Sequence, residues 1–193
     1  MRALIKTAGV TATTAVLLAL ALTPAHAIDN KEISAAVTGG GLTAVVSGAS
    51  LSSVALDDSS SQLASGVADS VWTITDARGS GAAWGLTASG TDFVSAAGTA
   101  DTTPRTLPIE NLVITPGVVT SAGGADTAPL TSPVTMAHRS LVLVTATGDY
   151  KGTFTLTPSF DLTVPANAFR SNFTTGASGA VNPYVATITF TIA

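Results

Sequence analysis

Short stretches in which apolar and polar residues alternate run along most of this chain. The clearest is the last, Tyr184–Ile192, where Ile188, Phe190 and Ile192 share one face and threonines occupy most of the other. Residues two apart in a β-strand project to the same side, so this period indicates half-buried strands. Only 10% of the residues are charged, and a chain poor in helix-favouring charged residues but rich in threonine and valine favours strands over helices.

Turn residues divide the chain into candidate strands with no convincing helix between them. The candidates are residues 33–38, 42–47, 51–56, 70–75, 83–88, 107–114, 140–147, 150–157, 160–164 and 184–192. Many short strands with two-faced patterning are typical of a sandwich. We therefore predict an all-β fold, an immunoglobulin-like two-sheet β-sandwich of about ten strands, preceded by a cleaved signal peptide.

The first 27 residues follow the plan of a secretory signal peptide. Arg2 and Lys6 precede an apolar run from Ala8 to Leu22, and the small-x-small triplet Ala25-His26-Ala27 ends the segment. This order of positive, apolar and small residues is what a signal peptide requires. We predict cleavage after Ala27 and a single domain over residues 28–193, a length that one hydrophobic core can serve.

The predicted mature chain is acidic, and the sequence contains no cysteine. Loss of Arg2 and Lys6 leaves six basic residues against twelve acidic ones, so the formal charge falls from −4 to −6. A weakly negative surface argues against nucleic acid and anionic lipid as partners. Without thiols the chain has no disulfide, thiolate metal site or lipoprotein anchor. If the protein stays at the cell surface, we expect noncovalent binding to hold it there.

Three connections are long and rich in Gly, Ala, Ser and Pro: residues 95–106, 115–129 and 166–183. Long loops in a compact domain are commonly either functional or mobile. Within the third, the glycine-rich stretch 174–180 has the composition of a flexible loop rather than of a catalytic one.

Both tryptophans lie in one run, DSVWTITDARGSGAAWGLTASGTDF. Trp72 and Ile74 share one face of a predicted strand, as Trp84 and Leu86 do on the next. The turn between them begins at Asp76, a residue type that can bond its own backbone two residues on, and contains glycines that tolerate positive φ. The sequence predicts a hairpin here, with the C-terminal strand as its neighbour in the same sheet.

This segment resembles the first signature of the WxL-domain surface proteins of Gram-positive bacteria. The resemblance lies in Trp-x-Ile-x-Asp-x-Arg-Gly over residues 72–79, followed by Trp-Gly-Leu at 84–86. Leu-Thr-Val-Pro at 162–165 and the final 184–192 are similar to the family's closing strands, so the likeness covers the mature chain. One place departs from the pattern, because Phe190-Thr-Ile192 stands where the family usually carries a second Trp-x-Leu.

The resemblance implies a noncatalytic protein, secreted to the cell wall or cell surface, that attaches by binding peptidoglycan or an associated wall glycopolymer. We expect no cofactor, no bound metal and no membrane insertion after signal cleavage. Aromatic faces can stack on sugar rings, and carboxylates and guanidiniums can bond hydroxyls and peptide-stem carboxylates. The candidate wall-binding residues are Trp72, Asp76, Arg78, Trp84, Leu86, Phe190 and Ile192.

Other interpretations stay open. Tryptophans in sandwiches are mostly buried, so a core role is the more frequent one for Trp72 and Trp84, with Asp76 and Arg78 as a turn carboxylate and a surface ion pair. The alternative function is a structural subunit that joins other cell-surface proteins by strand addition at a sheet edge, without direct wall binding. We predict no enzymatic activity, because His138, the one mature histidine, has no nucleophile motif to support it.

Overall fold

The computed structural model describes residues 33–176 and 179–193. The predicted signal peptide, residues 1–27, lies outside the described residues. Thr38–Ala193 forms one compact unit. Of the unit that ends at Val37, residues 33–37 are described, and they belong to no strand. The predicted strand 33–38 is therefore wrong, because alternation produces a strand only where a partner strand supplies hydrogen bonds.

Seventeen short strands and one turn of 3-10 helix, Ile109–Asn111, make up the regular structure of the described residues. The strands are β1 (Leu42–Val45), β2 (Gln62–Val67), β3 (Trp72–Asp76), β4 (Trp84–Gly90), β5 (Phe93–Ser95), β6 (Arg105–Leu107), β7 (Leu112–Thr115), β8 (Thr120–Ser121), β9 (Leu130–Thr131), β10 (Val134–Thr135), β11 (Leu141–Ala146), β12 (Gly152–Leu156), β13 (Ser159–Val164), β14 (Asn172–Phe173), β15 (Val181–Asn182), β16 (Tyr184–Val185) and β17 (Ile188–Ile192). The part of the chain that the structure describes contains no helix with the length and apolar character needed to cross a membrane.

The strands form two packed layers of antiparallel sheet. One layer contains the sheets β1-β3-β12-β8 and β10-β7-β13-β2, and the other contains β17-β4-β11-β9 and β16-β5-β6. A two-stranded sheet, β14-β15, lies beside β5. The buried apolar side chains form a core cluster between the layers, as expected where two sheets pack face to face. The predicted all-β sandwich is confirmed.

Several of the strands are pieces of a longer strand that bends. The break between β2 and β3 lies beside the break between β12 and β13, because the Ala68 N–H donates to the Pro158 carbonyl at 2.9 Å. In the other layer β4 and β5 break beside β17 and β16, joined there by a 3.0 Å bond from the Thr91 N–H to the Thr187 carbonyl. The seventeen segments thus trace fewer, longer strands.

Aromatic side chains hold the two layers together. Trp72 on β3 is 0% exposed, and its ring packs edge-on against Phe190 of the opposite layer with the centroids 4.7 Å apart. Trp84 on β4 packs against Phe154 on β12, again across the core, at 6.0 Å. Each of these rings removes a large apolar area from water, and edge-on pairs add attraction between the rings.

The predicted hairpin is wrong. β3 pairs with β1 and β12, whereas β4 pairs with β11 and β17, so residues 77–83 cross from one layer to the other. Alternation shows which residues share a face of a strand. It does not show whether two such strands pair in one sheet or face each other across the core, because the apolar pattern is the same in both cases. The C-terminal strand is a neighbour of β4, with Phe190 opposite Ala88 and Ile192 opposite Leu86. It is not paired with β3.

Two further strand predictions need correction. Residues 51–56 form no strand, although the Ser52 N–H donates to the Ser65 carbonyl of β2. The predicted strand 107–114 is divided by the 3-10 helix that follows Pro108. Proline fixes its own φ and offers no N–H, so it interrupts a strand that the apolar pattern would otherwise continue.

We predict that Trp72→Ala lowers the free energy of unfolding by about 3–5 kcal/mol, because it removes a fully buried aromatic ring and leaves a cavity. Urea denaturation followed by circular dichroism measures the loss. Val118→Ala is the control, since Val118 is 86% exposed, and it should change stability by no more than about 0.5 kcal/mol. Similar losses in the two variants would contradict the placement of Trp72.

Candidate functional site

The tryptophan signature lies mainly inside the protein. Trp72, Trp84 and Leu86 are buried. The indole N–H groups of the two tryptophans donate to the carbonyls of Ser47 and Tyr150, both at 3.1 Å. The polar atom of each indole is therefore already bonded within the fold, and the rings have no open face for a sugar to stack on. This placement supports the core interpretation of the signature.

Asp76 and Arg78 clamp the crossing that follows β3. Asp76 is 2% exposed and receives hydrogen bonds from the Arg78 Nε at 3.0 Å, the Arg78 Nη2 at 2.9 Å and the Arg78 backbone N–H at 3.0 Å. The same Nη2 donates to the Ala82 carbonyl at 2.7 Å. Gly79 and Gly81 have φ of 67° and 64°, the left-handed conformation that glycine adopts most easily. The predicted turn chemistry is confirmed, and both charges serve the turn.

The last two candidates lie on the C-terminal strand. Phe190 and Ile192 are half-buried and face the core from β17. Phe190 also lines a narrow apolar cavity of about 300 Å³ together with Val46 and Leu51. Ile192 lies further along β17, opposite Leu86. Of the seven predicted site residues, Phe190 is the one that reaches a cavity described here.

A larger groove opens beside this cavity, along one side of the sandwich. It lies between the edge segment 49–56 of one layer and the edge segment 183–186 of the other, and its volume is about 800 Å³. Residues common to the groove and the narrow cavity, Ala49, Leu51, Phe93 and Ala186, connect the two. β16, which lines this groove, is the outermost strand of its sheet. We name this feature the edge groove.

The edge groove has an apolar floor and a more polar rim. The floor consists of buried side chains from β2, β5, β6 and β13, namely Ala64, Phe93, Leu107, Leu162 and Val164. Serines 50, 52 and 53 lie on one wall, and Ser171 and Arg170 lie on the other. Phe169, at the rim, is 61% exposed. A concave apolar surface with a few polar groups around it is the usual form of a ligand site.

The wall that carries Phe169 is held by a buried polar network. Asn172 is buried, and its side-chain Nδ2 donates to the carbonyls of Ala96 at 3.1 Å and Thr103 at 2.9 Å. Its backbone N–H donates to the Ser95 Oγ at 2.8 Å, and that hydroxyl donates to the Asn182 carbonyl at 2.6 Å. Two of the long loops predicted from sequence, 95–106 and 166–183, thus meet here and build one wall together.

Two arginines lie against aromatic rings at this wall. The Arg105 guanidinium is 4.0 Å from the ring centroid of Phe169, and that of Arg170 is 4.7 Å from the ring centroid of Phe173. Arg170 also pairs with Asp101 at 2.9 Å. Its Nη1 donates to the Ser171 carbonyl at 2.9 Å, so both terminal nitrogens of Arg170 have partners within the fold. Asp101 offsets the charge of Arg170, so this wall carries both signs of charge.

Tyr184 lines the edge groove. Its hydroxyl donates to the Phe169 carbonyl at 2.9 Å, which ties β16 to the Phe169 wall. Burial raises the pKa of Tyr184, and the positive charge of Arg105 opposes that effect. The phenol is therefore neutral at physiological pH and acts as a hydrogen-bond donor.

Sequence reasoning missed the residues of the edge groove. Arginine, phenylalanine and serine scattered over three segments carry no motif, and the long loops were the one signal that pointed toward them. In comparisons with known proteins, no family model, no curated protein and no solved structure matches this chain. The likeness to the WxL-domain family stays a prediction.

The Asp76–Arg78 clamp predicts a pH dependence of stability. The side-chain hydrogen bond from Arg78 is the main cause that holds the pKa of Asp76 below its ordinary 3.8, and burial acts against it. The unfolded chain therefore binds a proton at this carboxylate more readily than the folded chain does. The contribution of the clamp to the free energy of unfolding is present above about pH 4 and is lost as the pH falls toward the lower pKa of the folded state. Asp76→Asn should have a lower free energy of unfolding than the wild type at pH 7. Between about pH 4 and 2 the variant should lose less stability than the wild type does.

Urea unfolding at a series of pH values measures this difference. Asp69→Asn, at an exposed carboxylate, is the matched control and should keep the wild-type slope. An Asp76→Asn variant with an unchanged slope would show that the clamp contributes nothing to stability.

Proposed function

We propose that this protein is a secreted, noncatalytic surface protein of the WxL type that attaches to the Gram-positive cell wall by binding peptidoglycan or an associated wall glycopolymer in the edge groove. The observation that carries the proposal is the groove itself. It is an apolar trough about 800 Å³ in volume, between two sheet edges, with serine hydroxyls, an exposed phenylalanine and an arginine around it.

The chemistry of the edge groove suits a wall polymer. Sugar rings and alanine side chains present C–H groups that pack on an apolar floor and on the exposed face of Phe169. Their hydroxyls match the serines of one wall. A carboxylate of the polymer would share the guanidinium of Arg170 with Asp101 on the other wall, since charge-assisted bonds to carboxylates are the stronger kind. A trough that runs between two sheet edges, rather than a closed pocket, suits a long chain.

The proposal moves the contact surface away from the tryptophan signature. Trp72 and Trp84 hold the layers at the spacing that the edge groove requires, and Phe190, packed on Trp72, lines the narrow cavity beside it. The signature then supports the groove from within. Its aromatic residues are needed for binding because they shape the fold, and direct contact falls to Phe169 and Arg170.

A second candidate function is subunit assembly. β16 lines the apolar trough and is the outermost strand of its sheet, and such an edge accepts an extended segment of another protein by strand addition. In that case the occupant is a polypeptide, and backbone hydrogen bonds to the strand edges provide most of the affinity. The two functions differ in what they require of the sheet edge. A glycan can bind without backbone hydrogen bonds to the edge strand, whereas an added strand needs them.

Co-sedimentation of the mature protein, residues 28–193, with purified Gram-positive peptidoglycan tests the first function. Phe169→Ala and Arg170→Ala should each weaken binding roughly tenfold, the scale of one lost ring contact or charged hydrogen bond. Val118→Ala and Arg139→Ala are the matched controls, because both change exposed residues that do not line the edge groove. Trp84→Phe, once shown to be folded, should bind as the wild type does.

Two outcomes would count against wall binding in the edge groove. If folded Trp84→Phe does not bind while Phe169→Ala and Arg170→Ala bind fully, the wall contact lies at the tryptophan signature and not in the edge groove. Failure of the wild type to sediment with the wall would remove the first function altogether. Self-association of that nonbinding protein in analytical ultracentrifugation would then favour subunit assembly.

A further inference from the structure

A second cluster of polar side chains lies where β4 bends into β5. Asp92 lies in the bend, Glu110 in the 3-10 helix and His138 in the connection that leads into β11. One ligand atom from each of the three residues lies within 4.8 Å of the others. None of them lines the edge groove, so wall binding leaves this cluster unexplained.

The orientation of the imidazole indicates what the cluster can bind. The Nδ1 of His138 lies 3.1 Å from the Gly90 carbonyl oxygen, which can only accept a hydrogen bond, so the Nδ1 carries the proton. In the neutral ring the Nε2 then has its lone pair, and it faces the Asp92 Oδ1 at 3.4 Å and the Glu110 Oε1 at 3.9 Å. Three electron-rich atoms converge, an arrangement that a cation between them would stabilise.

The spacing matches a small divalent metal. Zinc bonds to histidine nitrogen and carboxylate oxygen at roughly 2.0–2.2 Å, which places two ligand atoms of a tetrahedral site roughly 3.3–3.6 Å apart. The separation of Nε2 from the Asp92 oxygen, 3.4 Å, lies in that range. The Glu110 oxygen is 3.9 Å from Nε2 and must come about 0.3–0.6 Å closer to bind the same metal.

Backbone contacts already position two of the three ligands. The Gly90 carbonyl holds the imidazole ring, and the Ile109 N–H donates to the Asp92 Oδ1 at 2.9 Å. A histidine that ligates metal through one nitrogen usually donates its other N–H to a carbonyl or a carboxylate. This outer contact is present at His138, and it distinguishes the cluster from three charged side chains that happen to be close.

We propose that Asp92, Glu110 and His138 form a zinc site with His138 Nε2, one oxygen of each carboxylate and a water as ligands. The metal joins the bend between β4 and β5 to the 3-10 helix and to the start of β11, three segments that are distant in sequence. In a chain without cysteine, such a link takes the place that a disulfide holds in other secreted domains. The site stabilises the fold and is independent of the proposed wall binding.

Isothermal titration of the untagged mature protein with zinc chloride tests the site, since His138 is then the only histidine. We expect one zinc per chain and, at a hundredfold excess over Kd, a rise in Tm of roughly 5–10 °C. His138→Gln and Glu110→Gln should each weaken zinc binding at least tenfold. Asp69→Asn, which changes an exposed carboxylate outside the cluster, should bind zinc as the wild type does.

Circular dichroism first confirms that each variant is folded. Glu110 is exposed, so we expect at least Glu110→Gln to be folded. The proposal is overturned if the wild type binds no zinc, or if folded His138→Gln and Glu110→Gln bind it as tightly as the wild type. Preference for calcium over zinc would also overturn it, because calcium takes six to eight oxygen ligands and would not select the histidine.

Discussion

The packing of two tryptophans across the core is the interaction on which the rest of this structure depends. Trp72 meets Phe190 at 4.7 Å and Trp84 meets Phe154 at 6.0 Å, each pair joining one layer to the other. No disulfide assists them, because the chain has no cysteine. The two layers therefore keep their spacing through buried apolar area and through the antiparallel ladders within each layer.

This use of the tryptophans determines where a ligand can bind. Rings that are buried and whose N–H groups are bonded to the Ser47 and Tyr150 carbonyls cannot also stack on a sugar. The Asp76–Arg78 pair is likewise occupied, since it closes the crossing between the layers. The edge groove, in contrast, presents a concave apolar surface between the edge segments of the two layers.

The sequence predicted the parts of this structure that depend on local pattern. The face that Phe190 and Ile192 present and the turn glycines at 79 and 81 follow from period-two alternation and turn chemistry. The sequence did not predict the layer to which each strand belongs, because a crossing between layers and a hairpin within one sheet have the same apolar pattern. The groove wall around Phe169 was not predictable either, since it depends on Asn172 bonding to carbonyls some seventy residues away. Such contacts leave no trace in local composition.

Chemical-shift mapping with soluble peptidoglycan fragments tests most directly whether the edge groove is the wall-binding surface. Two indole N–H signals and the backbone amides can be followed in one titration. Binding in the edge groove predicts shifts in the amides of residues 49–56, 169–173 and 184–186, with smaller changes in the indole signals of Trp72 and Trp84. Shifts concentrated at the two indoles and at residues 76–82, with the groove amides unchanged, would contradict it.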